Sequence, residues 1–312
     1  MSASGVGPPA DGAEPPRQDA SVRQHLEAAR RLLVEAGVAS PAADARALLA
    51  HALGTDRLPV PLPERLSARE LTRFASAVDR RARREPLQHI VGSTGFRHLT
   101  LQVAPGVFVP RPETEMVAQA AIDGAAARAP RPVVVDLCCG AGGIALSVAT
   151  EVPGARVVAV DLAPEAVRLA EANAAAVGAQ DVRVVAGDVR DPALLTDLAG
   201  RVDVLVSNPP YIPPDAVPRE PEVREHDPDL ALYGGGHDGL DVPRAVVERA
   251  VVLLVPGGLL VMEHAEVQAA AVRDLVAGTG AFDEVRTRPD LAGRDRMVVA
   301  RRARHPGAGG PA

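Results

Sequence analysis

Aromatic residues are scarce, at 2% of 312 residues, and tryptophan is absent. Hydrophobic residues still make up 47% of the chain, so a sizeable core is possible, built mainly from Val, Leu and Ala. Cysteine is nearly absent too. Cys138 and Cys139 are the only two, and they are adjacent. Neighbouring cysteines rarely bridge, which excludes a disulfide framework and reads as cytoplasmic. With no His pattern nearby they make a poor zinc site, and no metal is expected. Positive charge is in deficit: the net charge is -6 and the pI about 5.8. That argues against gripping nucleic acid through backbone phosphates, and no direct nucleic-acid substrate is expected. No apolar run approaches the roughly 20 residues of a membrane helix. The first twenty residues lack the apolar centre of a secretory signal.

The remaining sequence divides by pattern. Residues 1–20, rich in Gly, Pro, Ala and Asp, read as a disordered leader, and 304–312 as a flexible tail. Residues 21–85 read as a small helical bundle. Ser21 caps a helix with Val22, Leu26, Ala29 and Leu33 on one face, stopped by Gly37. Ser40-Pro41 opens a second helix. Ser67 and Glu70 form a capping-box pattern before Leu71, Phe74, Ala75 and Val78. The cluster Arg80, Arg81, Arg83 and Arg84 is either a solvated helix end or a docking patch for an acidic or RNA-bound partner. Residues 86–112 read as a β-hairpin linker. From 113 to 303, strand-like runs such as 133–137, 155–161, 182–188 and 202–208 alternate with helical ones. That is an α/β pattern, with a parallel sheet covered on both faces and ligands at the carboxyl ends of its strands.

Those ends carry the chemistry. The first strand runs into Asp136, Cys138, Cys139, Gly140, Ala141 and Gly142, a tight turn leading into a helix N-terminus. The register of a dinucleotide fingerprint is missing, and an acid stands at the strand end instead. An acid there suits a positively charged cofactor such as S-adenosylmethionine. Asp161 ends the second strand, where a carboxylate can accept ribose hydroxyls. Asp188 ends the third, able to take an adenine amino proton, with Val189 packing on the ring. Val160 and Leu162 read as packing residues, and the cysteines as small turn-lining residues rather than nucleophiles.

The fourth strand must stop near Ser207, because Pro209 and Pro210 lack the amide donor a ladder needs. The loop Asn208-Pro209-Pro210-Tyr211 then suits methyl transfer to a planar NH2 group. Asn208 offers a side-chain carbonyl and Pro209 a backbone one, both aimed in advance by fixed proline φ. Tyr211 offers a flat face. Glu113 is either a site-lining acid or a helix N-terminal acid. The stretch 234–240 reads as a flexible turn and His237 as a surface residue. Competing readings are an amino methyltransferase acting on adenine N6 or guanine N2, and a cofactor-binding adaptor that has lost catalysis.

The motifs "REPLQHIVG", "VFVPRPETE", "NPPYIP", "LALYGGGHDGLD", "MEHAEVQ" and "DLAGRDRMV", spread over about residues 25–301, resemble the protein glutamine N5-methyltransferases of peptide chain release factors. The combination of "PRPETE", "NPPYIP" and "GGxDGL" is specific to that family. The resemblance implies a Rossmann-like class I S-adenosylmethionine-dependent methyltransferase domain over 113–303. It also implies a helical substrate-docking domain over 21–85, and a target glutamine in the Gly-Gly-Gln loop of class 1 release factors. Asn208, Pro209, Pro210 and Tyr211 then bind and activate the substrate, with Glu113 beside them. Asp136, Cys138, Cys139, Gly140, Ala141, Gly142, Asp161, Asp188, Val189 and Asn208 hold the cofactor. Three stretches depart from the family pattern. Cys138-Cys139-Gly140-Ala141-Gly142 replaces Gly-Thr-Gly-Ser-Gly, Asp227-Pro228 replaces Glu-Pro, and Ala265 replaces a glycine.

Overall fold

The computed structural model describes residues 20–128 and 130–304. The expected leader (1–20) and tail (304–312) fall almost wholly outside these residues. The described chain forms two compact units, divided between Val91 and Gly92.

The first unit holds four helices: α1 (Val22–Glu35), α2 (Pro41–Leu53), α3 (Ala68–Ala82) and the short α4 (Leu87–Val91). Ser21–Gln24 and Ser67–Glu70 both form complete capping boxes, satisfying amides that a helix start leaves open. Ser40 makes no side-chain cap, so Pro41 alone marks the start of α2. The core packs Val22, Ala29, Leu33, Leu48, Leu49, Phe74, Ala77 and Val78. Ala77 takes the inward place expected of Ala75, which is exposed.

The arginine cluster is a solvated helix end only in part: Arg83 is exposed, while all four make contacts within the unit. Arg81 is buried and its Nε donates to Asp44 Oδ2 at 2.7 Å. Arg80 pairs with Glu85, and Arg83 with Asp79. Arg84 Nη1 donates to the Ala36 and Gly37 carbonyls, closing the end of α1.

The second unit opens with a hairpin, β1 (Ser93–Phe96) and β2 (Leu99–Gln102), followed by α5 (Thr114–Ala126). Alternating elements follow: β3 (Val133–Leu137), α6 (Gly143–Glu151), β4 (Arg156–Asp161), α7 (Pro164–Ala176), β5 (Arg183–Ala186) and β6 (Val202–Ser207). Two short helices, α8 (Pro221–His226) and α9 (Asp229–Leu232), precede α10 (Asp241–Leu253) and β7 (Leu254–Glu263). The unit closes with α11 (Ala269–Gly278), β8 (Phe282–Pro289) and β9 (Asp295–Arg302).

The hairpin is shorter than the 86–112 expected, and it is built into the second unit rather than serving as a linker. Residues 87–91 are helical and belong to the first unit. Phe96 and Leu101 are fully buried in the core of the second. The Asn173 side chain of α7 exchanges two hydrogen bonds with the Gln102 backbone and donates to Ala141 O at 2.9 Å. Arg97 reaches Glu151 of α6 with two bonds of 2.7 Å.

The sheet runs β5-β4-β3-β6-β7-β9-β8. The first five strands are parallel. The parallel sheet expected is present in these five strands, and β9 extends it, lying antiparallel between β7 and β8. Strand alternation explains the two covered faces. Val134, Val157, Ala159, Val204 and Val206 face α5, α6 and α7. Val135, Leu137, Val158, Val160, Leu205 and Leu260 face α10 and α11.

Replacing Asp44 by Ala removes the only carboxylate shown paired with the buried Arg81 guanidinium among the described residues. The expected cost is about 3–5 kcal/mol, read as a lowered urea midpoint by far-UV circular dichroism.

Candidate active site

The parallel register brings four strand ends to one edge: Leu137 pairs with Val160 and with Ser207, and Ser207 with Met262. Beyond that edge lies a cavity of about 590 Å³ within the second unit, the size of a small-molecule site. Its wall includes Cys138, Cys139, Gly140, Ala141, Asp161, Asp188, Val189, Glu113, Asn208, Pro209, Pro210 and Tyr211. The residues proposed for cofactor and for substrate thus share one chamber.

Asp136 and Gly142 stand behind the wall instead of on it. Asp136 is fully buried, and its Oδ2 accepts from Ala145 N–H of α6 at 3.0 Å. Its Oδ1 has no hydrogen-bond partner among the described residues. Burial, with a contribution from Asp161, raises its pKa to about 8. Gly142 has φ +88, and a Cβ there would meet Leu146 at 3.1 Å, so it allows α6 to start close against its surroundings. Cys138 adopts φ +61, the left-handed conformation a glycine would take at no steric cost. The turn therefore keeps a glycine-like backbone despite the cysteine, at a strain of about 1–2 kcal/mol. Burial pushes both thiols well above their ordinary pKa, so neither is a ready nucleophile.

Asp161 accepts the Gly140 N–H on Oδ2 (2.8 Å) and the Ala163 N–H on Oδ1 (2.9 Å). Burial raises its pKa and these amides oppose the rise. Asp188 lines the cavity but carries a partner of its own. Arg190 grips both carboxylate oxygens at 2.7–3.1 Å and adds its backbone N–H. Arg190 is exposed, so it can swing away when another donor arrives. Val160 packs in the core as expected while also bordering the cavity, whereas Leu162 lines the cavity and is exposed.

The Asn208 loop is clamped from several sides. Ile212 N–H donates to Leu232 O, and Gly234 N–H to Ile212 O. Gln268 Nε2 donates to the Tyr211 and Asp238 carbonyls. The stretch 234–240, expected to be a flexible turn, packs on this loop. A Cβ on Gly239 would lie 2.4 Å from Tyr211 O, and one on Gly234 would lie 2.7 Å from Pro210 O. His237 is exposed, as expected.

Several site residues escaped the sequence reading. Thr114, next to the expected Glu113, accepts from Asn208 Nδ2 at 3.3 Å. Glu113 itself lies 3.5 Å from Arg294. Glu263, at the end of β7, accepts from Tyr211 OH at 3.3 Å. Burial raises its pKa to about 7 against the pull of Thr114, Arg296 and Tyr211. The same strand-end logic that marked Asp136 and Asp161 would have found it. Arg111 lies over the Phe108 ring at 4.9 Å and bonds Asp227 Oδ2 at 2.6 Å. It thereby pins the α8–α9 segment beside the cavity, and the shorter acid at 227 suffices for the bond.

These features fit S-adenosylmethionine. The chamber is rich in carboxylates, Asp136 keeps an unpartnered oxygen behind the wall, and a Cβ at Gly140 would meet nothing within 4 Å. The backbone is therefore open to a ligand carrying positive charge.

Comparison with known proteins agrees in kind. A profile described as the PrmC N-terminal domain matches residues 24–92, and one described as the methyltransferase small domain matches 99–218. A repeat of unknown function matches 2–30. Curated relatives include release factor glutamine methyltransferases from Bifidobacterium longum, Mycobacterium tuberculosis and Streptomyces coelicolor. The first is 44% identical over 86% of this chain and 95% of its own. The second is 45% identical over 91% and 93%, and the third 44% identical over 88% and 96%.

The buried carboxyl of Asp136 sets a pH dependence. A pKa raised in the folded state means that folding takes up a proton, so stability is full at low pH. It is then lost as pH rises from the ordinary 3.8 toward about 8. Asp136→Asn is expected to flatten this decline in a series of thermal melts across that range.

Proposed function

The chain belongs to the release factor glutamine methyltransferase family, and from that premise we propose that it methylates the side-chain nitrogen of the glutamine in the Gly-Gly-Gln loop of class 1 peptide chain release factors. It is an enzyme of the α/β methyltransferase class. The observation that carries the site assignment is a single chamber walled by both Asp161 and Asn208-Pro209-Pro210-Tyr211.

Gly140, Ala141, Cys138, Cys139, Asp161, Asp188 and Val189 are the residues that would hold S-adenosylmethionine, with Asp136 supporting the turn from behind. When bound, this cofactor supplies a methyl group on a positively charged sulfur, with a neutral thioether as leaving group. The difficulty left to the protein lies in the nucleophile. An amide nitrogen shares its lone pair with the carbonyl. Asn208 Oδ1 and the Pro209 carbonyl accept hydrogen bonds from the two amide N–H groups, so electron density gathers on nitrogen as the N–CH3 bond forms, and one of these protons then leaves to solvent to restore a neutral amide. Both acceptors are set before substrate arrives, because the prolines fix φ and the clamps on Tyr211 and Ile212 hold the loop. The Tyr211 ring supports the planar amide, with its hydroxyl tied to Glu263. The four-helix unit serves as the docking module for the release factor. The reduced vicinal thiols fit the cytoplasm, and no helix among the described residues is long and apolar enough to cross a membrane.

Purified protein with labelled S-adenosylmethionine and a class 1 release factor is expected to place one methyl group on the Gly-Gly-Gln glutamine, mapped by mass spectrometry. Label on RNA or DNA in place of that peptide overturns the assignment. Asn208→Ala is expected to lower kcat by about 100-fold or more. Cofactor affinity, measured by calorimetry, should change little in that variant.

A further inference from the structure

The strand order divides the ligand edge of the sheet into two halves. The acids assigned to the cofactor stand at or just beyond the ends of β3, β4 and β5, and the methyl-accepting loop follows β6. The half beyond it, formed by β7, β9 and β8, carries none of the residues assigned to the cofactor. A target amide arrives on a polypeptide, and that polypeptide must continue out of the chamber. With the cofactor filling one half, the flanking chain runs out over the other.

Large apolar side chains are exposed on that half. Single exposed ones are ordinary, but their distribution in the second unit is uneven. Leu162, Val217, Leu230, Val267 and Leu291 all follow the carboxyl end of a strand, since β8 runs in the direction of β7. Val252 lies at the far edge, where α10 turns into β7. Val267 and Leu291 are the most open of the six, at 93% and 88% exposed.

Both sit on backbone that is firmly held. Leu291 rides on the turn between β8 and β9. There the buried Asp290 accepts the Ala292 and Arg294 backbone N–H groups on Oδ1, and Arg294 Nε and Arg296 Nη2 on Oδ2. Arg296 lines the chamber, and Arg294 lies 3.5 Å from Glu113, which also lines it. Val267 precedes Gln268, whose side chain fastens the Tyr211 and Asp238 carbonyls. His264 N–H donates to Arg296 O at 2.9 Å, tying the chain after β7 to β9. Two turns built into the active-site frame thus each hold one apolar side chain out to solvent. Such rigid presentation lowers the entropy lost when a partner covers it. We propose that Val267 and Leu291 are the apolar contacts for the release factor surface flanking the target glutamine, with Arg294 and Glu113 as their polar rim.

This inference rests on the assignment of a release factor as substrate. Its test compares Leu291→Ser, Val267→Ser and the double variant with Val252→Ser, which removes an exposed apolar group from the far edge. Thermal melts and calorimetric cofactor affinity should match the wild type in all four. With intact release factor, each single variant is expected to raise KM about fivefold and the double variant about 25-fold, with kcat within about twofold. Val252→Ser should keep the wild-type KM, and Leu291→Met should restore it at that position. Unchanged KM in the double variant overturns the proposal, as does an equal rise in Val252→Ser. Sedimentation velocity covers the other occupant: a wild-type dimer that the double variant loses assigns the surface to a second copy of this chain and also overturns the proposal. If the wild type methylates no release factor, the functional assignment fails and this docking surface falls with it. Wild-type methylation with unchanged KM in the variants removes the docking surface alone.

Discussion

The parallel register of β4, β3, β6 and β7 is the constraint on which the site depends. Backbone ladders align Val160, Leu137, Ser207 and Met262 across the sheet, so the chain leaves four strands at one edge. Whatever follows each strand is then delivered to the same chamber: the cysteine–glycine turn, Asp161, the proline loop and Glu263. A slip of one residue in any strand would send its apolar side chains to the wrong face. The two large apolar clusters on opposite faces of the sheet therefore hold the active site in place without contributing to its chemistry.

That edge carries an unusual load of buried carboxyl groups. Asp136, Asp161 and Glu263 are all held above the ordinary carboxylate range by desolvation. A chain under selection for stability alone would have little use for them. Their placement makes sense where a cationic cofactor and a weakly nucleophilic amide must be managed at one sheet edge. The rest of the site counters mobility. Gln268, Asn173 and Arg111 each fasten an irregular segment to something rigid. The glycines at 234 and 239 let two loop backbones approach closer than any side chain permits.

Much of this was legible before any coordinates. The stop at Ser207 followed from two prolines without amide donors, and β6 ends there. The capping boxes at Ser21 and Ser67 followed from side-chain chemistry one turn apart. Other features were not legible, because they depend on partners distant in sequence. Arg81 reads as a surface charge until Asp44 is found beside it. Strand β9 gives no local sign of running antiparallel, since its direction is set by pairing with β7 and β8. The residue after Glu113 proved to be the one touching Asn208, a distinction that a helix start settles only once it is packed.

Local chemistry along the chain determined where strands and helices begin and end, which strand ends carry acids, and that the loop at 208–211 is stiff and rich in acceptors. Those properties follow from φ restriction, amide inventory and spacing, which neighbouring residues decide among themselves. Tertiary structure alone decided which acids reach the chamber wall and that the hairpin belongs to the methyltransferase unit. Each of these is a choice between partners far apart in sequence. Such choices are made only when burial removes water as the alternative partner.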